Sequence, residues 1–125
     1  MSLRIGLDVG STTLKCVVLN DANNIIYANY ERHFSKISEK SCELLTTIAE
    51  RFPNEKDIRL AVSGSAGMGF AEDIGLPFIQ EVFATKIAVS SYIPDTDVVI
   101  ELGGEDAKIL FLTGEDYDGV AGLDV

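Results

Sequence analysis

Residues 5–15 of the chain read IGLDVGSTTLK. A short apolar run leads to Asp8, a glycine and three hydroxyl residues follow, and a second apolar run, CVVL, occupies residues 16–19. Two apolar segments separated by a short turn rich in Gly, Ser and Thr are typical of a β-hairpin. The sequence therefore predicts a strand, a tight turn and a second strand, with no helix directly after the first strand.

The predicted turn has the groups that a phosphate needs. Its glycine lets the backbone approach a ligand closely, and the amides and hydroxyls of residues 11–13 can donate hydrogen bonds to phosphate oxygens. Asp8 repels phosphate but can hold Mg²⁺ or its waters. The candidate nucleotide-binding residues are Gly10, Ser11, Thr12, Thr13 and Lys15, with Asp8 as the candidate metal ligand. Taken alone, the same string is as typical of an ordinary turn, because Asp, Gly and Ser favour turns for backbone reasons.

A second segment with the same order of residue types lies far down the chain. Residues 98–108 read VVIELGGEDAK, which is an apolar strand, an acidic residue, two glycines and further polar residues. Two such turns at strand ends predict two sides of one site for Mg²⁺ and a polyphosphate. The predicted roles are metal binding by Glu101 with Asp8, close backbone approach at Gly103 and Gly104, and orientation or deprotonation of water by Glu105 or Asp106. A solvated turn is the alternative interpretation of the last two residues.

The two segments together resemble the paired phosphate loops of the superfamily that contains acetate and sugar kinases, heat-shock cognate chaperones and actin. More narrowly, GLDVGSTT at residues 6–13 and LGGEDAK at residues 102–108 are similar to the paired motifs of the BadF/BadG/BcrA/BcrD ATPases. That family includes activators of 2-hydroxyacyl-CoA dehydratases and ATPase subunits of benzoyl-CoA reductase. Many members have Asp at the position of Glu101 and Gln at that of Glu105, and the extra negative charge at Glu105 weakens the case for hydrolysis by that residue.

The resemblance implies the Mg·ATP-binding lobe of an ATPase that drives an electron from a [4Fe–4S] cluster to a partner dehydratase or reductase. It implies a homodimeric or internally duplicated complete protein, whose second lobe completes the nucleotide cleft. The cluster cysteines of the family lie downstream of the second loop, and neither Cys16 nor Cys42 matches them. We therefore expect this stretch alone to hold no cluster and to have no appreciable ATPase activity. Two other functions stay open: the ATP-binding lobe of a sugar or acetate kinase, and a non-enzymatic nucleotide switch like actin or the chaperones.

The composition argues against some classes of binding partner and indicates the cellular compartment. A net charge of -10 over 125 residues argues against nucleic acid or an anionic membrane as a partner. No run approaches the roughly 20 apolar residues that a membrane span needs. Because two cysteines are too few for a disulfide framework, we expect Cys16 and Cys42 to be buried small hydrophobic residues in a cytoplasmic protein.

The order of the predicted elements is βββαβαβ, which is that of a ribonuclease-H-like α/β lobe with a mixed five-stranded sheet and flanking helices. The first three strands are joined by short loops and are expected to be antiparallel, whereas the fourth follows a helix and is expected to be parallel to its neighbour. Apolar residues at helical spacing predict a first helix that ends before Pro53, and the other predicted bounds are 81–92 for the second main helix and 4–9, 14–20, 25–33, 58–63 and 97–102 for the strands.

Strand 1 is expected inside the sheet, with the second strand of the hairpin on one side and the parallel strands on the other. Its end would then place Asp8 at the edge of the sheet where ligands bind in such folds. Residues 1–106 are predicted to form a first lobe, and residues 107–125 to begin a truncated second one. We interpret the glycine-rich residues 64–69 as a turn into a short helix at 70–74, in preference to a third phosphate-binding loop, because the two acid-bearing loops already supply that role. We interpret His33 as a surface or packing residue.

Overall fold

The computed structural model describes residues 2–102, 107–112 and 122–124. The chain forms two compact units, Met1–Ile79 and Gln80–Val125, which we call unit 1 and unit 2. The lobe boundary that the sequence places after residue 106 stays a prediction.

Unit 1 has a mixed sheet with β1 at an inner position. Its elements are β1 (Ser2–Val9), β2 (Thr13–Leu19), β3 (Ile25–Arg32), α1 (Ile37–Arg51), β4 (Asp57–Ser63) and α2 (Gly67–Ile74). The strand order is β3-β2-β1-β4, in which β1–β2 and β2–β3 are antiparallel and β1–β4 is parallel. The predicted hairpin, the third antiparallel strand and the parallel fourth strand are therefore all confirmed.

The core of unit 1 lies between one face of this sheet and α1. Every second side chain of β1 and β2 is buried, and all of these buried side chains are apolar. The helix adds Leu44 and Ile48 to the same cluster, four residues apart and hence on one side of α1. The buried residues of the two strands are Leu3, Ile5, Leu7, Val9, Leu14, Cys16 and Val18.

The two cysteines differ in their environments. Cys16 is buried in the core, as predicted, and burial raises the pKa of its thiol to about 11. Cys42 is exposed, so the prediction that it is buried is wrong. In α1 the buried positions are Ser41, Leu44 and Ile48, and each residue turns a helix by about 100°. Residue 42 consequently points away from the sheet although its neighbour Ser41 points toward it.

The glycine-rich residues after β4 lead into α2, as predicted, but the helix begins earlier than expected. It starts at Gly67 instead of Phe70 and ends at Ile74, and the next residue, Gly75, has a left-handed φ of 71°. A left-handed glycine directly after the last turn is a common helix end, because it has no side chain to clash. None of the described helices is long and apolar enough to cross a membrane.

Unit 2 contains α3 (Glu81–Tyr92), β5 (Val98–Leu102), β6 (Ala107–Phe111) and β7 (Gly122–Asp124). The three strands form an antiparallel sheet of order β5-β6-β7. The bounds of α3 agree with the sequence prediction, and β5 begins one residue later than predicted.

The mixed sheet has four strands among the described residues, not the predicted five, because β5 has no pairing with β4 and pairs with β6 alone. The free edge of β4 is partly taken by the segment that follows α2. There Val62 donates its N–H to the Pro77 carbonyl oxygen at 2.9 Å and accepts the N–H of Ile79 at 2.8 Å. A strand that finds an antiparallel neighbour a few residues away also closes a much shorter loop than one that returns to β4.

Val18 and Val17 are adjacent residues of β2 that test this core directly. Val18 is fully buried, whereas the side chain of Val17 lies on the other face and is 37% exposed. We expect Val18→Ala to lower the free energy of unfolding by about 2 kcal/mol, through lost burial and the cavity that remains. Val17→Ala is the matched control and should cost well under half of that. Urea denaturation followed by circular dichroism measures both, and equal losses would contradict this assignment of the two faces.

The pKa of Cys16 predicts a loss of stability in alkaline solution. Its ordinary value is 9.0, and burial raises it to about 11 in the folded chain. Between these pH values the unfolded chain releases the thiol proton and the folded chain keeps it, so rising pH favours unfolding. We expect this group to lower the free energy of unfolding by about 1.4 kcal/mol per pH unit in that window.

The measurement is urea denaturation below pH 9 and at several values between 9 and 11. Cys16→Ala should remove the Cys16 part of the slope, whatever it does to the absolute stability. Cys42→Ala is the control and should keep the wild-type slope, because the exposed thiol sits in solvent in both states. A slope that Cys16→Ala leaves unchanged would show that the thiol ionises as readily in the folded chain as in the unfolded one.

Candidate functional site

The turn between β1 and β2 is short and closed by its own backbone. Gly10 donates its N–H to the carbonyl oxygen of Thr13 at 2.8 Å. Ser11 and Thr12, at the tip, are exposed to solvent, and Thr13 is half-buried. The hydroxyls of the two tip residues are thus accessible to a ligand, as the phosphate-binding hypothesis requires, and their role in binding stays a prediction.

Asp8 and Lys15 lie opposite each other on the two strands that flank this turn. The Lys15 Nζ is 3.3 Å from the Asp8 Oδ2, and both side chains are nearly half exposed, at 42% and 45%. The Lys15 Nζ also lies 5.6 Å from the centre of the Tyr30 ring. An ion pair this exposed contributes only about 0.2–1 kcal/mol. A cation at the Asp8 carboxylate can therefore displace Lys15 at little cost and leave its ammonium available to a phosphate.

The glycine-rich turn after β4 lies directly against the end of β1. Asp8 and Ser63 are register partners of the two parallel strands, and Ala66 donates its N–H to the carbonyl oxygen of Val9 at 2.9 Å. Gly64 has a φ of 104°, and a Cβ on it would stand 2.2 Å from that same oxygen and 2.6 Å from the Asp8 Oδ1. Only glycine fits this position. The turn fixes the backbone around the candidate metal ligand.

The sequence predicts a turn at residues 64–69 and gives them no role in the site. The signal that could have placed them there is the predicted parallel pairing, because the carboxyl ends of parallel strands meet at the same edge of a sheet. Directly before this turn, at the end of β4, the Ser63 hydroxyl oxygen is buried and has no hydrogen-bond partner among the described residues.

His33 is a second residue whose position the sequence did not reveal. It follows β3 and is buried, with only 3% of its surface exposed. Its Nε2 lies 2.8 Å from the carbonyl oxygen of Gly10, and its backbone N–H donates to that of Thr12 at 3.0 Å. It therefore contacts the candidate phosphate-binding turn itself. Antiparallel pairing of β2 and β3 brings the end of β3 to this turn, but nothing in the local sequence marks the histidine.

The predicted residues of the second segment lie in unit 2. Glu101 is half-buried in β5 and accepts a hydrogen bond from the Thr85 hydroxyl of α3 at 3.0 Å. Its register partner on β6 is Lys108, whose Nζ is 3.1 Å from the Glu81 Oε2. Gly103, Gly104, Glu105 and Asp106 lie outside the described residues. The joint metal site of Asp8 and Glu101 accordingly stays a prediction.

The donor set around Asp8 suits Mg²⁺. This ion usually takes one or two protein carboxylates and completes its octahedron with water and substrate phosphates. Asp8 offers one accessible carboxylate at a strand end, next to exposed hydroxyls. No cluster of three or more His, Cys, Asp or Glu side chains is close enough to hold a metal by itself within the described ranges. The site would need phosphate oxygens as further ligands.

The chain is similar to proteins of known activity and structure. The (R)-2-hydroxyglutaryl-CoA dehydratase activating ATPase of Acidaminococcus fermentans is 24% identical over 106 residues, which are 85% of this chain and 41% of that protein. The activator of the 2-hydroxyisocaproyl-CoA dehydratase from Clostridium difficile with bound ADPNP has a similar structure, with a TM-score of 0.74 and 24% identity, over 98% of this chain and 44% of that chain.

A ROK family glucokinase from Streptomyces griseus, in complex with glucose and AMPPNP, is similar in fold, with a TM-score of 0.57 and 17% identity over 90% of this chain and 45% of that chain. No protein-family model matches the chain. The chain spans 40–42% of the length of the curated relatives that it matches.

These similarities confirm two predictions. The fold is that of the ribonuclease-H-like ATPase lobes of the actin and sugar-kinase type. In sequence and in fold, the chain is similar to the N-terminal part of the dehydratase activating ATPases, which is the resemblance that its two glycine-containing segments predicted.

Proposed function

We propose that this chain is the first nucleotide-binding lobe of an ATPase that activates a CoA-ester dehydratase. One observation supports the nucleotide site above the others: the half-exposed Asp8 carboxylate stands beside an exposed hydroxyl turn, at the edge where β1 and β4 both end. The similarity to activating ATPases across 85% of the chain supports the dehydratase as partner. A bound ADPNP in a similar activator supports the nucleotide.

The residues of the turn bind and orient the phosphates in this proposal. The amides and hydroxyls of residues 11–13 donate to phosphate oxygens, and Asp8 holds Mg²⁺ through its carboxylate. When bound, Mg²⁺ neutralises charge on the phosphates. Lys15, displaced from Asp8, adds its ammonium to the same oxygens. Glu101 is the second metal ligand in this proposal. The backbone at Gly103 and Gly104 approaches the phosphates closely, and Glu105 or Asp106 orients or deprotonates the attacking water.

The electron-transfer part of the proposal comes from the family resemblance alone. A [4Fe–4S] cluster needs four accessible thiolates, and this chain, with two cysteines of which one is buried, supplies at most one. Cys16 is buried in the core with its pKa raised to about 11, and Cys42 is exposed on α1 in unit 1, outside the candidate site. A cluster would have to come from other residues of the complete protein. We further propose the homodimeric or duplicated state and the cytoplasmic location that the sequence predicts.

A small-molecule kinase is the second candidate, because a glucokinase structure shares the fold. The higher TM-score of the activator, 0.74 against 0.57, and the sequence similarity to activating ATPases favour the first proposal. Turnover of ATP that depends on a sugar, and not on a dehydratase, would reverse this order.

Asp8→Asn tests the metal role with little change in shape. We expect it to weaken binding of Mg·ADPNP to the intact protein by at least tenfold, because the neutral amide attracts Mg²⁺ less than a carboxylate. Binding of ADPNP in the presence of a chelator should stay the same or become tighter, since a negative charge near the phosphates is gone. Isothermal titration calorimetry with and without Mg²⁺ measures both effects.

The matched control for this experiment is Asp57→Asn. Asp57 begins β4 at the opposite end of the sheet, where its register partner is Ser2, and its side chain is exposed. This variant should bind Mg·ADPNP as the wild type does. If Asp8→Asn keeps the full Mg²⁺-dependent gain in affinity, Asp8 is not the metal ligand.

Gly64→Ala tests the close approach of the turn after β4 to Asp8. The new Cβ would lie 2.2 Å from the Val9 oxygen at a φ of 104°, so β1 and β4 must separate or the turn must change its conformation. We expect the free energy of unfolding to fall by about 2–4 kcal/mol and the affinity for Mg·ADPNP to fall with it.

Gly69→Ala is the control, since a Cβ at this position of α2 meets nothing within 4 Å. Alanine replaces glycine in a helix there, which should raise stability by about 0.5–1 kcal/mol and leave binding unchanged. Thermal and urea denaturation give the stabilities. Equal stability of the two variants would show that residue 64 is not as closely packed as described.

A further inference from the structure

The His33 side chain is held between two backbone groups of unit 1. Its Nε2 lies 2.8 Å from the Gly10 carbonyl oxygen, and its Nδ1 lies 3.0 Å from the backbone nitrogen of Ser35. A backbone N–H can only donate, so Nδ1 is the acceptor and carries no proton. The proton of the neutral ring is therefore on Nε2, which donates to Gly10. The hydrogen-bond pattern determines both the tautomer and the orientation of the ring.

The backbone after His33 is unusual. Phe34 and Ser35 have φ values of 51° and 60°, in the left-handed region that residues with a side chain rarely adopt. Lys36 donates its N–H to the His33 carbonyl oxygen at 2.7 Å and closes this tight turn. Such backbone persists only where surrounding bonds hold it. The bond from the Ser35 N–H to the imidazole is one of these bonds.

Two carbonyl groups of the β1–β2 turn accept hydrogen bonds from His33. The ring holds the oxygen of Gly10, and the backbone N–H of His33 holds that of Thr12 at 3.0 Å. In a trans peptide the C=O and the following N–H point in opposite directions. The N–H groups of Ser11 and Thr13 are consequently turned away from His33. The two hydrogen bonds from His33 therefore help to orient two N–H donors of the candidate phosphate-binding turn, those of Ser11 and Thr13.

We propose that His33 is a positioning residue that orients the amides of Ser11 and Thr13 for the phosphates of the nucleotide. The proposal rests on the proposed function for its ligand, and on the geometry of the turn for its mechanism. His33 touches no phosphate itself. It acts through the Gly10 carbonyl, so its bond to Gly10, and not its bond to Ser35, sets the affinity for Mg·ADPNP.

Two conservative variants separate the two bonds. The side-chain amide nitrogen of Gln reaches about as far as the Nε2 of histidine, so His33→Gln keeps a donor for Gly10 and loses the acceptor for Ser35. The shorter Asn places its oxygen near the position of Nδ1, so His33→Asn keeps the acceptor and loses the donor. We expect His33→Gln to bind Mg·ADPNP within about threefold of the wild type and His33→Asn to bind about tenfold more weakly, by calorimetry on the intact protein.

A role in folding alone would give a different result. Both variants would then lose affinity in proportion to their loss of melting temperature, or neither would lose any, and either result overturns the proposal. Leu44→Ala is the control for stability, because Leu44 is buried in the core on α1, away from the turn. It should lower the melting temperature and leave the affinity unchanged in solutions where the protein is folded.

Amide chemical shifts separate failure of this proposal from failure of the proposed function. In ¹⁵N-labelled protein without ligand, we expect the Ser11 and Thr13 amide resonances to move in His33→Asn and to stay near their wild-type positions in His33→Gln. If these shifts appear and the wild type binds no Mg·ADPNP, the positioning of the turn holds and the nucleotide function fails. If the resonances do not move in His33→Asn, the positioning role fails whether or not nucleotide binds.

Discussion

The hydrogen bonding of β1 on both of its edges is the constraint on which unit 1 depends. One edge pairs antiparallel with β2 and the other pairs parallel with β4. The parallel pair of β1 and β4 ends at the same edge of the sheet as the β1–β2 turn. Asp8 therefore lies close to three parts of unit 1: this turn, Lys15 on β2 and the residues after β4. A one-residue slip of β1 would put its apolar residues on the solvent face and turn Asp8 into the core. The same alternation that builds the core thus fixes the side on which the carboxylate stands.

Local patterns predicted the elements of this chain well, because each has its own signal. Alternation predicted the three antiparallel strands, helical spacing before a proline predicted α1, and the bounds of α3 were predicted to the residue. The pairing of β5 with β4 was predicted and does not occur, because part of the β4 edge is already bonded to another segment. The segment around Pro77 and Ile79 bonds to Val62, and no propensity indicates that a segment without strand character will occupy that edge.

The candidate site shows the same limit at the level of single residues. Asp8 and the hydroxyl residues of the turn are contiguous in the sequence and have the chemical groups of a phosphate and metal site, so the sequence predicted them. His33 and Gly64 act through geometry: one by a bond to a carbonyl across the sheet, the other by leaving room for a strand. A lone histidine or a glycine in a glycine-rich turn looks the same in a sequence whether or not it has such a contact. The prediction that Cys42 is buried rested on residue type alone, and a single step around α1 separates core from solvent.

The contrast between the two cysteines also gives the protein a native labelling handle. They are the only cysteines in the sequence. Thiolates, not thiols, react with maleimides and iodoacetamides. With a pKa of about 11 and 1% exposure, about one Cys16 in a thousand is a thiolate at pH 8, and the reagent can scarcely reach it. Cys42 stands on the solvent side of α1. A fluorophore or spin label can therefore be attached at one defined point of unit 1 without removing any cysteine.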